Sequence, residues 1–410
     1  MFLQCCSGVV FFTKTLRANG VDILDRHILH VVFRPSHLEV SRAIAGCIDG
    51  DHLLISSTEF SSQASYVNDK DRNLFIDILE VMKPDFRVRQ VHKTEERERI
   101  SEIRQSIGIL RKTIERFAPE IVIVYSDEHI LSRMIMSMAN SKNILIEDGM
   151  VAYRKIGLSE RFRRMFKERT RDLFWKRATG FSPISWKGYG KSPHVDVFVK
   201  SYGNNNCESN VSNVKVLGYP IFVASSLDLN NSEGEIVDGS DSAFFFIGQG
   251  LQGSKKISES DYYSVLSMLN RELAESFDRF IYLPHPMERI VSHKIVETGF
   301  TISNSTEIAE GIILKSGCSS IEVCSISSTA LVNLSYVGVP AISIAGVLGT
   351  DLTSVFREEI LCNLQCPRSF SELLEICRKS SAISSRKVIN SVMQMGDKLC
   401  TDLAAIFESA

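Results

Sequence analysis

Short apolar runs alternate with amphipathic stretches along the whole chain. His30-Val31-Val32-Phe33 predicts a strand, and Arg34-Pro35-Ser36 turns the chain into a helix near Leu38 to Ile48. Leu53-Leu54-Ile55 predicts a second strand. Residues 73–82 predict a helix, with Leu74, Ile78 and Leu79 on one face, and Val88 to Val91 a third strand. From Lys93 to Phe117 the apolar residues Ile100, Ile103, Ile107, Leu110, Ile114 and Phe117 fall at helical spacing. Glu120 to Tyr125 and Asn143 to Ile146 predict buried strands on either side of a helix at Ile130 to Met138. Runs such as Ile121 to Val124 lack polar alternation, as strands covered on both faces do.

Strands separated by helices imply βαβ units and a parallel, Rossmann-like sheet, with sites at the carboxyl ends of the strands. The middle of the chain departs from this rhythm. A basic stretch at 159–177 is followed by a loop from Gly180 to Pro193, a strand near His194 to Val199, loop signals at Asn204 to Asn206 and Asn210 to Asn213, and a strand at Val214 to Leu217. Residues 230–241 are polar and acidic and predict a linker. Then the βα rhythm restarts: a strand at Ala243 to Ile247, a helix at Tyr263 to Ser276, a strand at Phe280 to Leu283, short strands at Ile312 to Leu314 and Ile321 to Cys324, a helix at Ser328 to Val337, a strand at Ala341 to Ile344 and a helical tail. The expectation is an α/β protein of two Rossmann-like domains, 1–229 and 242–410, facing each other across a cleft in the GT-B arrangement.

The 410 residues suffice for two cores. With 47 basic and 49 acidic residues the chain has a formal net charge of -2, which argues against a nucleic-acid coat. The 10 cysteines show no zinc spacing, and many lie in apolar runs, as Cys324 does; they read as reduced, buried thiols of a cytoplasmic protein. No stretch reaches the roughly 18 apolar residues that span a bilayer. Met1 to Thr13 is apolar but lacks a basic n-region, so it reads as a packed segment or a peripheral contact with the inner face of the plasma membrane rather than a signal peptide.

Three motifs sit at predicted strand ends. Glu147-Asp148-Gly149 supplies paired carboxylates whose mutual repulsion and partial burial suit proton abstraction, with a glycine that lets the chain turn. His285, between Pro284 and Pro286, has its direction fixed by the prolines and suits donation to a leaving phosphate. Ser327-Ser328-Thr329 precedes a helix, where hydroxyls and free N–H groups either cap the helix or cradle a phosphate. Asp127-Glu128-His129 reads as a polar loop rather than a metal site.

Taken together, these motifs resemble those of bacterial sialyltransferases: a D/E-D/E-G motif, an H-P motif and a Ser-Thr motif. The resemblance is to the capsular polysialyltransferases and the related lipooligosaccharide sialyltransferases. It is carried by Leu145-Ile146-Glu147-Asp148-Gly149 with Tyr153, by Leu283-Pro284-His285-Pro286, by Ser328-Thr329-Ala330-Leu331-Val332, by Gly248-Gln249 and by Gly188-Tyr189-Gly190-Lys191. The resemblance implies an inverting GT-B enzyme that moves sialic acid from CMP-sialic acid to a glycan hydroxyl in capsule or lipooligosaccharide synthesis, without a metal or other cofactor. Residue by residue, it makes Asp148 the base with Glu147 in support, and His285 the group that protonates or hydrogen-bonds the phosphate. Ser327, Ser328 and Thr329 bind that phosphate, with Pro286, Gly248 and Gln249 beside it. The capsular branch carries two glutamates where this chain has Glu147-Asp148, a pair that also fits the lipooligosaccharide branch. Two other readings stay open: a GT-B transferase using CMP-Kdo or CDP-glycerol, and a non-catalytic scaffold among capsule-assembly proteins.

Between Arg161 and Arg177 basic residues interleave with Phe162, Phe166, Leu173, Phe174 and Trp175. This stretch reads either as a solvated helix or as a surface on which Arg163, Arg164, Lys167 and Arg171 meet anionic lipid or an anionic glycan acceptor.

Overall fold

The computed structural model describes residues 11–12, 26–58, 67–82, 93–203, 211–226, 241–249 and 258–409, less 69, 156, 186, 212, 286–287, 289–291, 306, 353–355, 358–359 and 380–384. Among the described residues two sheets carry the fold. The first contains β1 (Phe11–Phe12), β2 (His27–Val32), β3 (Asp51–Thr58), β4 (Asp77–Met82), β5 (Ile121–Val124), β6 (Lys142–Ile146), β7 (Val197–Lys200) and β8 (Val214–Val216). Its order is β1-β4-β3-β2-β5-β6-β7-β8, parallel except for β1. The second sheet is wholly parallel, in the order β11-β10-β9-β12-β13. It is built from β9 (Ser242–Ile247), β10 (Arg279–Leu283), β11 (Thr301–Ile302), β12 (Ser320–Ser325) and β13 (Ala341–Ser343). β5 is buried along its length, as its unbroken β-branched run requires.

Helices cover both sheets. α1 (Pro35–Cys47) starts with proline in its first turn, where the missing N–H costs nothing. α2 (Asp71–Leu74) is a single turn. α3 (Lys93–Phe117) turns Ile103, Leu110, Ile114 and Phe117 inward. α4 (Ile130–Met138), α5 (Leu158–Thr179) and α6 (Ile221–Ser226) complete the first domain. α7 (Glu259–Leu273) is capped by Ser258, which accepts the Asp261 N–H at 3.1 Å. α8 (Ser292–Glu297), α9 (Ala309–Leu314), α10 (Thr329–Tyr336) and α11 (Phe370–Lys379) belong to the second domain. Its core is strongly aromatic, with Phe244, Phe246, Phe277, Phe280 and Phe300 meeting at ring angles of 37° to 79°.

Several expectations need correction. Residues 77–82 form a strand, not a helix. Leu74, Ile78 and Leu79 fit a helical face, but pairing with β3 from Asp77 to Met82 prevails over so short a pattern. The apolar run Ile312 to Leu314 ends helix α9 rather than forming a strand, an ambiguity inherent in short apolar runs. The helical tail does not stay with the second domain. α12 (Ser385–Ser409) places Val388 and Val392 in the second core, whereas Leu399, Leu403, Ile406 and Phe407 pack with Ile28, Val40 and Ile44 of the first. Cys47 and Cys400 form a disulfide between α1 and α12, so the reading of every cysteine as a reduced thiol fails for this pair. The expected strand at 88–91, the Asn204–Asn206 loop and residues 230–240 of the linker lie outside the described residues, as do Gly250 and Pro286.

Candidate active site

All three sequence motifs lie beyond carboxyl ends of strands: Glu147-Asp148-Gly149 after β6, Pro284-His285 after β10, and Ser327-Ser328-Thr329 between β12 and α10. Gly248-Gln249 follows β9 in the same way. The motifs of the two domains meet directly. Gly149 has φ +56, and a Cβ there would lie 2.5 Å from Thr329 Cγ2 and 2.6 Å from Thr329 Oγ1. A glycine is therefore what allows the acidic turn to seat against the start of α10. Gln249 donates to Ser327 Oγ at 3.2 Å, joining the β9 and β12 loops. Ser328 occupies the N-cap position of α10 in an extended conformation, but its side chain does not cap the helix. The plain capping role that the sequence allowed is therefore not the one its hydroxyl performs.

Asp148 has partners that sequence reasoning missed. Arg34, the N-cap residue of α1 just beyond β2, donates from Nη1 to Asp148 Oδ1 at 2.9 Å, and His37 Nε2 reaches the same oxygen at 2.9 Å. His37 is buried, its ring parallel to that of Tyr125 with centroids 4.4 Å apart. Its Nδ1 accepts the Phe33 N–H at 3.3 Å, which fixes the tautomer: the proton sits on Nε2 and points at Asp148. Burial pushes the His37 pKa down, more than Asp148 raises it, so this donor is neutral. The Asp148 side chain is 11% exposed and that of Arg34 is 44% exposed. The Asp148 N–H donates to the Tyr189 hydroxyl at 2.5 Å, which itself donates to the Tyr125 carbonyl at 3.2 Å. Tyr189 belongs to Gly188-Tyr189-Gly190-Lys191. That loop is held by Asp127, whose carboxylate accepts the N–H groups of Gly190, Lys191 and Ser192 at 3.0, 3.2 and 3.1 Å. Burial raises the Asp127 pKa to about 6, against those N–H donors. His129 accepts the Leu131 N–H at the start of α4, so Asp127 and His129 serve the backbone, in keeping with a polar loop.

Glu147 does not support Asp148 as expected. Neighbouring side chains at a strand end point opposite ways, and Glu147 is buried on the other side. It accepts the Tyr153 hydroxyl and, at 2.9 Å, the Ser201 N–H. Burial raises its pKa. From Tyr153 a polar chain crosses to the second domain. The Tyr202 N–H donates to the Tyr153 hydroxyl at 2.9 Å, the Tyr202 hydroxyl to Asn333 at 2.8 Å, and Asn333 to Glu310 at 2.8 Å. Glu147 thus begins a polar chain that runs from the first domain into the second.

On the second domain, burial lowers the His285 pKa, and the Arg34 charge lowers it further. Arg34 therefore acts electrostatically on both Asp148 and His285. The His285 N–H donates to Glu288 at 3.2 Å, and the Tyr282 hydroxyl donates to the same carboxyl group at 2.8 Å. Burial raises the Glu288 pKa to about 7. A Cβ at Gly248 would strike the Tyr282 hydroxyl at 2.5 Å and would also meet Glu288. Arg34, His37 and Glu288 carried one legible signal each: like the motifs, they closely follow a predicted strand.

The basic residues of α5 are not part of this cluster. Arg164 pairs with Glu160 at 2.8 Å, and Arg171, half-buried, pairs with Glu168. Both pairs lie within α5 itself. Trp175 is also turned inward, against Ile103, Ile130 and Met134. Arg163 and Lys167 are exposed.

Two Rossmann-like domains, with chemistry-bearing loops at the strand ends of both, define the GT-B arrangement. Similar solved structures share this architecture. A protein described as a UDP-N-acetylglucosamine 2-epimerase from Listeria monocytogenes has a TM-score of 0.54 at 10% identity, over 94% of this chain and 98% of that one. The UDP-GlcNAc 2-epimerase of Methanocaldococcus jannaschii has a TM-score of 0.50 at 11% identity, over 87% and 95%. No curated protein matches the sequence. The family model for alpha-2,8-polysialyltransferase (POLYST) matches residues 28–345, and the chain belongs to that family. It is a glycosyltransferase of the sialyltransferase kind.

Proposed function

We propose that the chain transfers sialic acid from CMP-sialic acid to a glycan hydroxyl with inversion, on the cytoplasmic side of the membrane, in the synthesis of a capsular or lipooligosaccharide glycan. The observation that carries this reading is the contact of Gly149 with Thr329. It sets a carboxylate that receives two N–H donors against the helix start best suited to a phosphate. Asp148 takes the proton of the acceptor hydroxyl as its oxygen bonds to the anomeric carbon. The bond from that carbon to the phosphate oxygen breaks, and CMP leaves. Ser327, Ser328, Thr329 and the first N–H groups of α10 receive the growing phosphate charge. His285 donates to the phosphate. Although neutral in the free protein, it gains proton affinity when a phosphate arrives beside it. Gly248 and Gln249 border the donor. The proposal calls on no metal or cofactor; its partners are the donor, an anionic glycan acceptor and capsule-assembly proteins.

Release of CMP from CMP-sialic acid, CMP-Kdo and CDP-glycerol tests the reading, with wild type beside Asp148→Asn. Wild type turns over CMP-sialic acid, and the variant loses roughly two to four orders of magnitude in transfer while binding CMP. Turnover of another donor alone, absence of nucleotide binding, or near-normal transfer by Asp148→Asn overturns it.

A further inference from the structure

We propose that α5 is an interfacial helix that docks the enzyme on an anionic lipid bilayer. The helix carries eight basic and three acidic residues, and the fold sorts them. Arg133 of α4 is wholly buried, and a buried cation must be matched. It draws Asp172 to 2.9 Å and Glu168 to 3.3 Å, and the carbonyl of Ile184 accepts from it at 3.0 Å. The third acid, Glu160, is taken by Arg154 at 3.2 Å and by Arg164. With all three acids engaged, the outward charges are those of the exposed residues Arg161, Arg163, Lys167, Arg169, Lys176 and Arg177.

Along this cationic face runs an apolar seam. Phe162, Phe166 and Leu173 are 65%, 76% and 68% exposed, the three most exposed large apolar side chains among the described residues. At 100° per residue they fall within about 40° of one another around the helix and span about 16 Å of its length. Isolated exposed hydrophobics need no explanation, but three in register on one helix do. Charge alone would suit any polyanion. The seam selects lipid, because Phe and Leu gain from leaving water for an acyl layer, whereas a sialylated glycan offers carboxylates and hydroxyls. No described helix is long and apolar enough to cross a membrane, so α5 lies along the interface. The inference stands apart from the transfer reaction, since binding can be read without turnover.

The test is co-sedimentation of the full chain with vesicles of phosphatidylglycerol and phosphatidylcholine, or of phosphatidylcholine alone, at low and high salt. Soluble dextran sulfate serves as a non-lipid polyanion. Wild type binds the anionic vesicles and weakens as salt rises. The variant Phe162→Ser/Phe166→Ser/Leu173→Ser keeps every charge, its melting temperature and its acceptor-independent donor hydrolysis, yet loses about tenfold or more in vesicle affinity. The variant Arg161→Gln/Arg163→Gln/Lys167→Gln/Arg169→Gln loses binding and shows a flatter salt dependence. Wild-type vesicle affinity in the apolar variant overturns the proposal. So does a result in which the charge variant loses dextran sulfate binding while neither variant changes vesicle binding, which would make the face a polyanion site.

Discussion

Replacing His37 isolates the support of the candidate base from the base itself. Leucine fills a similar volume against Tyr125 but removes the N–H that meets Asp148 Oδ1 at 2.9 Å, and it leaves the Phe33 N–H without its 3.3 Å acceptor. A hydrogen bond to a charged group is worth about 1.5–3 kcal/mol. If that energy orients the carboxylate for proton transfer, its loss lowers kcat about tenfold to hundredfold at 1.4 kcal/mol per decade. The unmet Phe33 N–H costs a further 1–3 kcal/mol or about that in stability, seen as a lower Tm. His37→Gln carries an amide N–H at the place of Nε2 and restores much of the rate. Burial holds the His37 pKa low, so the imidazole is already neutral at assay pH, and the kcat–pH profile of the Gln variant keeps its wild-type shape. The assay is steady-state transfer with donor titration, alongside CMP affinity and thermal melting. A loss confined to kcat and rescued by Gln bears out the positioning role. Unchanged kcat in His37→Leu, equal loss in a folded Gln variant, or a loss of donor affinity in place of kcat refutes it.

Gly149→Ala forces a Cβ against Thr329 at φ +56; the left-handed conformation alone costs about 1–2 kcal/mol, so Tm and transfer fall together, and Thr329→Ala added in the same chain recovers part of the Tm. No recovery in the double variant would separate the two motifs. Cys400→Ser removes a cross-link between positions 353 residues apart; Tm drops by several degrees, and wild type under reductant follows it. Equal melting of oxidised, reduced and mutant protein would deny the bridge any stabilising part. Glu288 has a folded pKa raised to about 7 from 4.5, so its contribution to stability is complete below pH 4.5 and is lost as pH rises through 7. Glu288→Gln therefore flattens the decline of Tm between pH 5 and 8, a difference of about 1–2 kcal/mol after allowing for its partial exposure. Parallel wild-type and variant curves would contradict that origin.

The sequence by itself determined the layered α/β fold, because apolar runs bounded by turn residues define buried strands whatever their neighbours are. Once the strands are placed, parallel topology puts every following loop at one edge of its sheet, so Asp148, His285 and Thr329 could be read as candidate site residues before their contacts were known. Three-dimensional packing decided the rest. Arg34 and His37 meet Asp148 across more than a hundred residues because β5 alone separates β2 from β6 in the sheet. Glu147 turns away from its neighbour because alternation at the strand end leaves it a buried niche beside Tyr153 and Ser201. Residues 77–82 became a strand because β3 offered a partner, and local periodicity carries no record of partners. α12 returns to the first domain, and only that return brings Cys400 to Cys47. On α5 the sequence supplied the charges, but a buried arginine on another helix chose which of them face outward. Local pattern encodes what each segment can bury; which distant charge or hydroxyl it meets depends on the order in which the strands assemble.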